Sequence, residues 1–417
     1  MLNLLLSYSI PFYPQNFGVE LVATWSDGKD STAAVDVEVK DGWVYLIGTK
    51  DPTSTGGDYL WVLDAREPCS EVKLVAEDTF PDYGASDLVI VGQYLYAYSR
   101  IVDIIAVHVY SISDPSEPKY IRTVEVRRSG SKGIGSRAVV FSLSSGLYTI
   151  YDKYIYSLKR PDSPFVYSEL PVYWATPIAF LPPKYLYAWI TGGRDTVVIY
   201  DLSDPKKPIP IDTFATSPYS WSGTLWFDQD STPYLLIGTW YLAKIFVYSL
   251  ENPEEPVLVR TINAGSEMIT AHGRRIYTAA TYLAIIEDLD TIVGYYNFDG
   301  MVNEILWHDN LIYLANRIWS ESDTPQYDLY IFHYVGDTPQ TFNAWFSKGN
   351  LFLELPNPSE VRVSLYDLKG SLILKRELSL PWGESSVPLE TPPSRGIYLA
   401  LVERKGTNQR RVVKCYF

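Results

Sequence analysis

Three carboxylates recur in register along the chain: Asp36, Asp87 and Glu304 each stand nine residues ahead of a tyrosine, Tyr45, Tyr96 and Tyr313. Glu267 lies one residue out of that register, ten before Tyr277, and Arg137 sits near it in its own stretch. Side chains that recur this way converge when the segments carrying them are arranged around an axis, giving a mostly acidic ring at one mouth of a channel. Such a ring could bind Ca²⁺ through Asp36, Asp87 and Glu304, because calcium takes hard oxygen ligands. It could equally hold a cationic or sugar ligand. The competing reading is that any channel mouth is wet and therefore polar. The choice depends on the elements that position these residues.

Other chemistry is sparse. The four histidines, His108, His272, His308 and His333, share no ligand-type spacing with one another or with a cysteine, so no zinc or haem site is expected. There is no Gly-rich phosphate loop and no Gly-x-Ser-x-Gly elbow. The carboxylates form no recognisable acid/base pair, so no catalytic residue is assigned. Aromatic residues crowd three stretches: "PVYWATP" with Tyr173 and Trp174, "SPYSWSGTLWF" with Tyr219 and Trp221, and "IGTWYLAK" with Trp240 and Tyr241. On exposed loops they would form a platform for a sugar ring or a protein partner; the alternative is packing between sheets.

Composition narrows the class further. The 417 residues carry a formal charge of -14, which repels phosphate backbones and anionic lipid, so nucleic acid is not an expected partner. Two cysteines, Cys69 and Cys415, make no disulfide framework. The opening "MLNLLLSYSIPFYP" is too short to span a bilayer as a helix and lacks a basic leader region, and no later segment is a transmembrane candidate. With 34 Tyr and 12 Trp, the chain favours strands.

The elements follow from an internal repeat. "VYSISDPSEP" (Val109 to Pro118) recurs as "IYDLSDPKKP" (Ile199 to Pro208) and "VYSLENPEEP" (Val247 to Pro256), with relatives ending at Pro68 and Pro164. A period in the mid-forties without helical periodicity predicts one four-stranded sheet per repeat, a β-propeller blade. In each turn the Asp or Asn accepts a backbone N–H and the following Pro fixes φ for a type I turn. Sets of first to third strands begin near Ala34, Ser86, Arg137, Thr176, Gly223, Glu267 and Asn303, which makes seven. The seventh lacks a fourth strand, and "VELVATW" (Val19 to Trp25) is expected to supply it and close the ring.

On these phrases, "LYAYS…VHVYSISDPSEP" and "LYAWI…VVIYDLSDPKKP", the chain resembles the LVIVD-repeat propellers over roughly residues 19 to 340. That resemblance implies architecture and an extracellular or surface setting. After it the period breaks, and about six short strands predict a small β-sandwich. "LPNPSEVRVSLYDLKGSLI", "PSRGIYLALV" and "QRRVVKCYF" make this segment similar to the C-terminal sorting domain of the type IX secretion system.

The expected fold is therefore all-β: an N-terminal extension (1–18), a seven-bladed propeller closed by the N-terminal strand (19–340), and a sorting-domain-like sandwich (341–417). The expected role is non-catalytic binding or scaffolding at the cell surface or outside it, through protein or glycan contacts. Two alternatives stand beside it. One is a subunit of a surface polymer, its apolar first residues adding as a strand to a neighbour's sheet edge. The other is a propeller enzyme, glycosidase- or lyase-like, with its site at the channel mouth.

Overall fold

The computed structural model describes residues 18–28, 33–49, 57–68, 71–81, 84–101, 104–127, 137–172, 175–190, 195–217, 220–239, 242–264, 267–289, 291–297, 301–317, 327–335, 343–347, 350–355, 359–367, 371–380, 383–389, 397–405 and 410–416. Every regular element among them is a strand. β1 (Val19–Trp25) is followed by six sets of four. These are β2 to β5 (Ala33–Lys40, Trp43–Thr49, Tyr59–Asp64, Lys73–Thr79) and β6 to β9 (Asp87–Val91, Tyr94–Ile101, Ile104–Ser111, Lys119–Arg127). Next come β10 to β13 (Val139–Leu143, Gly146–Tyr151, Tyr154–Ser157, Phe165–Glu169) and β14 to β17 (Thr176–Leu181, Tyr185–Trp189, Thr196–Asp201, Ile209–Ala215). Then come β18 to β21 (Ser220–Phe227, Pro233–Thr239, Lys244–Ser249, Val257–Asn263) and β22 to β25 (Met268–His272, Arg275–Ala279, Tyr282–Glu287, Thr291–Asn297). A set of three, β26 to β28 (Met301–His308, Leu311–Arg317, Leu329–Tyr334), completes this part.

The chain divides into two compact units, Met1–His333 and Tyr334–Phe417, a boundary somewhat earlier than position 340. In the first unit each set is an antiparallel meander in chain order. Fourth strands such as β17 and β21 are mostly exposed, whereas β12, β14, β15 and β16 are buried over most or all of their length. First strands touch their successors, β2 with β6, and β10 through β14, β18 and β22 to β26. The arrangement is that of a β-propeller. β1 lies beside β28, and Ala33 of β2 pairs with Arg317 of β27, so the first and last sets share one sheet.

Apolar seams fill the space between consecutive sets. Tyr45, Ile47 and Leu60 pack with Leu88, Leu95 and Tyr110, and Tyr98 and Val107 pack with Tyr151 and Tyr156. Burying a side chain of this size contributes about 1.5–3 kcal/mol, so the seams supply most of the cohesion.

The repeated turn phrase has a second use that its sequence does not announce. As expected, Asp114, Asp204 and Asn252 accept the N–H of the residue two ahead, at 3.1, 3.0 and 3.2 Å. The carbonyl of the Pro or its equivalent then accepts a phenol from the preceding set. Tyr45 donates to Pro115 (3.0 Å), Tyr96 to Pro161 (2.8 Å) and Tyr187 to Pro253 (2.9 Å). The turn therefore fastens one sheet to the next.

In the second unit, β29 to β35 are Asn343–Ser347, Asn350–Leu355, Ser359–Asp367, Leu372–Leu380, Gly383–Pro388, Ile397–Arg404 and Arg410–Tyr416. They form two sheets, β29-β30-β33 and β32-β31-β34-β35. Leu351, Leu353 and Val387 of one sheet share a core with Val361, Val363, Ala400 and Val402 of the other, as in a sandwich. Cys415 is a buried free thiol, and Cys69 lies outside the described residues, as do the apolar N-terminal residues.

Candidate functional site

The recurring charged residues all fall in the first half of a first strand or just ahead of one. Asp36 is in β2, Asp87 opens β6 and Glu304 is in β26, while Arg137 precedes β10 and Glu267 precedes β22. The strand register shifts just before Asp36 and again just before Glu304. A bulge at the same place in both strands turns both carboxylates inward. Asp36, Asp87, Glu267 and Glu304 are all buried, with 5–8% exposure.

Their hydrogen bonds join one first strand to the next. Asn303 Nδ2 donates to the carbonyl of Ala34 at 2.8 Å. Asp36 Oδ2 accepts the backbone N–H of Leu88, and Asp87 Oδ2 accepts that of Ala138 at 2.6 Å. Next to Ala138, the Arg137 guanidinium donates to Glu304 Oε1 at 2.9 Å, and that oxygen also accepts the N–H of Ile305 at 3.1 Å. The circuit returns to its starting strand, so β26, β2, β6 and the lead-in to β10 are laced together at one mouth.

Burial dominates the electrostatics. It pushes the Asp36 carboxyl up to about 8, with the Glu304 charge adding to the effect and the Leu88 N–H and Arg137 opposing it. Burial likewise raises Asp87, with Asp36 contributing, and raises Glu304 against the pull of Arg137. Arg137 keeps 35% of its side chain exposed and is held above its ordinary value chiefly by Glu304. Glu38, absent from the register reading, belongs to the same cluster: burial first and Asp36 second hold it well above the carboxylate range. Its signal was available, since a residue two after Asp36 on a strand faces the same side. Burial pushes all four carboxylates around this one guanidinium toward their protonated forms, and for Asp36, Glu38 and Asp87 a neighbouring carboxylate adds to it.

Among the described residues no group of three His, Cys, Asp or Glu side chains is arranged to hold a metal ion. Asp36, Asp87 and Glu304, the calcium candidates, each direct an oxygen at a backbone N–H. Of the aromatic candidates, Trp221 is half-buried on β18. Tyr173, Trp174, Tyr219, Trp240 and Tyr241 lie outside the described residues. His108 is fully buried, its ring nitrogens bonded to Thr123 Oγ1 and the Gly84 carbonyl, a packing role. His272 lies flat on Trp307, with ring centroids 3.4 Å apart.

No protein-family model matches the chain, and no curated protein matches it. Among solved structures, it is similar to a functionally unknown protein from Desulfotomaculum acetoxidans at 12% identity and a TM-score of 0.48, over 63% of this chain and 85% of that one. BamB from Moraxella catarrhalis follows at 12% identity and 0.41, over 72% and 83%. PorZ, a surface component of the type-IX secretion system of Porphyromonas gingivalis, is similar at 9% identity and 0.40, over 91% and 68%.

Proposed function

We propose that the chain is a non-catalytic binding or scaffold protein of the cell surface or extracellular space. In this reading it is a seven-bladed propeller, with β1 as the outer strand of the last blade, and its C-terminal sandwich is an export or sorting module. The observation that carries the non-catalytic reading is the lacing of the acidic mouth: Asp36, Asp87 and Glu304 each direct an oxygen at the backbone of their own or the next first strand. A general acid or base must reach a substrate proton, whereas these groups hold sheets in place. The closed ring is supported by β1 lying beside β28; export is supported by the resemblance of residues 341–417 to sorting domains. Protein or glycan partners are then engaged by loops on a rigid disc.

One observation favours a second reading. A carboxyl pushed up to about 8 beside other acids is the environment a glycosidase gives its general acid. A single experiment separates the two. The purified chain is assayed against a panel of glycosides and uronides, and Asp36→Asn and Asp87→Asn are melted with and without calcium. Lowered melting temperatures with no hydrolysis in any form support the scaffold. Hydrolysis that Asp36→Asn abolishes establishes the enzyme instead, and calcium stabilisation lost in Asp87→Asn establishes a metal site. Deleting residues 1–14 tests the polymer reading by loss of assembly with an intact monomer.

A further inference from the structure

We propose that a cleft at the other end of the first unit binds a neutral pyranose, distinct from the acidic mouth and independent of its role. β22 runs from Met268 to His272, so Glu267 heads it at the acidic end and His272 closes it about 16 Å away. There the turn after β18 faces the turn after β22 across a cleft of about 490 Å³, lined by Trp226, Phe227, Asp228, Gln229, His272 and Arg274 among others. That volume is within the range of small-ligand sites, which combine apolar walls with a few directed polar groups.

The lining has that division. Phe227 leaves 44% of its surface exposed and supplies an apolar wall of the cleft. Trp226 is buried as floor and fixed in orientation by its indole N–H, which donates to the Gly273 carbonyl at 2.8 Å. The lip is planar and polar: Arg274 bonds Asp288 through two N–H groups, and the Gln229 amide reaches the same carboxylate. Arg274 and Asp288 pair, while Asp228, its oxygens held by the N–H groups of Asp230 and Thr232 and by the Tyr234 hydroxyl, leaves the lip net negative with its polar groups already oriented. That arrangement fits an uncharged polyol rather than a phosphate or other anion, which the -14 chain also repels. A pyranose has the matching surface, with an apolar C–H face for Phe227 and equatorial hydroxyls for Gln229 and Arg274.

The test is calorimetric titration of the full chain with a panel of methyl pyranosides of glucose, galactose, mannose and N-acetylglucosamine. The expected result is binding of at least one at roughly millimolar Kd, weakened about tenfold or more by Phe227→Ala and by Gln229→Ala, with melting temperatures unchanged. Should Phe227→Ala melt early, Gln229→Ala alone decides. No binding across the panel, or affinity indifferent to both substitutions, overturns the proposal. Failure of the surface-scaffold reading leaves this result unaffected, because the titration needs no particular location or partner.

Discussion

The phenol of Tyr96 donates a 2.8 Å hydrogen bond to the carbonyl of Pro161, tying the second strand of one set to the turn of the next. Tyr45 with Pro115 and Tyr187 with Pro253 repeat the relationship. The repeated Asp-Pro phrase thus serves twice, reversing its own chain and offering an acceptor to its neighbour.

Tyr96→Phe keeps the ring in its seam and removes only the donor. A partly buried hydrogen bond of this kind contributes about 0.5–1.5 kcal/mol. Urea unfolding should show a loss of that size for Tyr96→Phe and for Tyr187→Phe, roughly additive in the double variant because the sites are far apart. No loss in either would mean the phenols are spectators.

Gly48→Ala should be costlier than its chemistry suggests. A Cβ there would lie 2.3 Å from the Trp61 ring, and Trp61 is itself buried and set edge-on against Trp25 at 5.2 Å. The ring has no room to yield, so overpacking should cost roughly 1–3 kcal/mol, read as a lowered urea midpoint with an unchanged slope.

Much of this was legible in the residues. The spacing of the turn phrases located the sets, and "VELVATW", legible as a strand by its likeness to "VLVRTIN", is β1, which lies beside β28. The register Asp36, Asp87, Glu304 located one end of the first strands. What the sequence could not express was the direction of each carboxylate. The bulges that turn Asp36 and Glu304 inward depend on the partner strand's register, and the acceptors, the N–H groups of Leu88 and Ala138, belong to every residue and leave no mark in a sequence. Glu38 is invisible to the tyrosine register, which marks one acid per strand. The cleft near Phe227 is made by two turns 40 to 50 residues apart, whose proximity only the fold supplies.

Arg137→Met tests whether the mouth depends on its one guanidinium. Removing one partner of a buried pair costs about 3–5 kcal/mol, and the 35% exposure of Arg137 reduces this to something on the order of 1–3. The loss should be smaller near pH 5 than near pH 8, since Glu304, Asp36, Glu38 and Asp87 take up protons on acidification. Equal losses at both pH values would show that Arg137 acts through packing alone.

The most direct measurement is the melting temperature of wild type and Asp36→Asn from about pH 7 to about pH 8.5. Asp36 is raised from 3.8 unfolded to about 8 folded, so the native state binds more protons than the unfolded chain throughout that interval. Stability must then fall as pH rises. His272 and His333 are lowered, mainly by burial; their opposing contribution is largely spent at about pH 7, fades over the lower part of the window, and is the same in Asp36→Asn. If the acids form a protonated lacing between sheets, the wild type should lose melting temperature steadily across the window and Asp36→Asn should lose distinctly less. A flat or rising wild-type profile, or an identical slope in Asp36→Asn, would contradict the account.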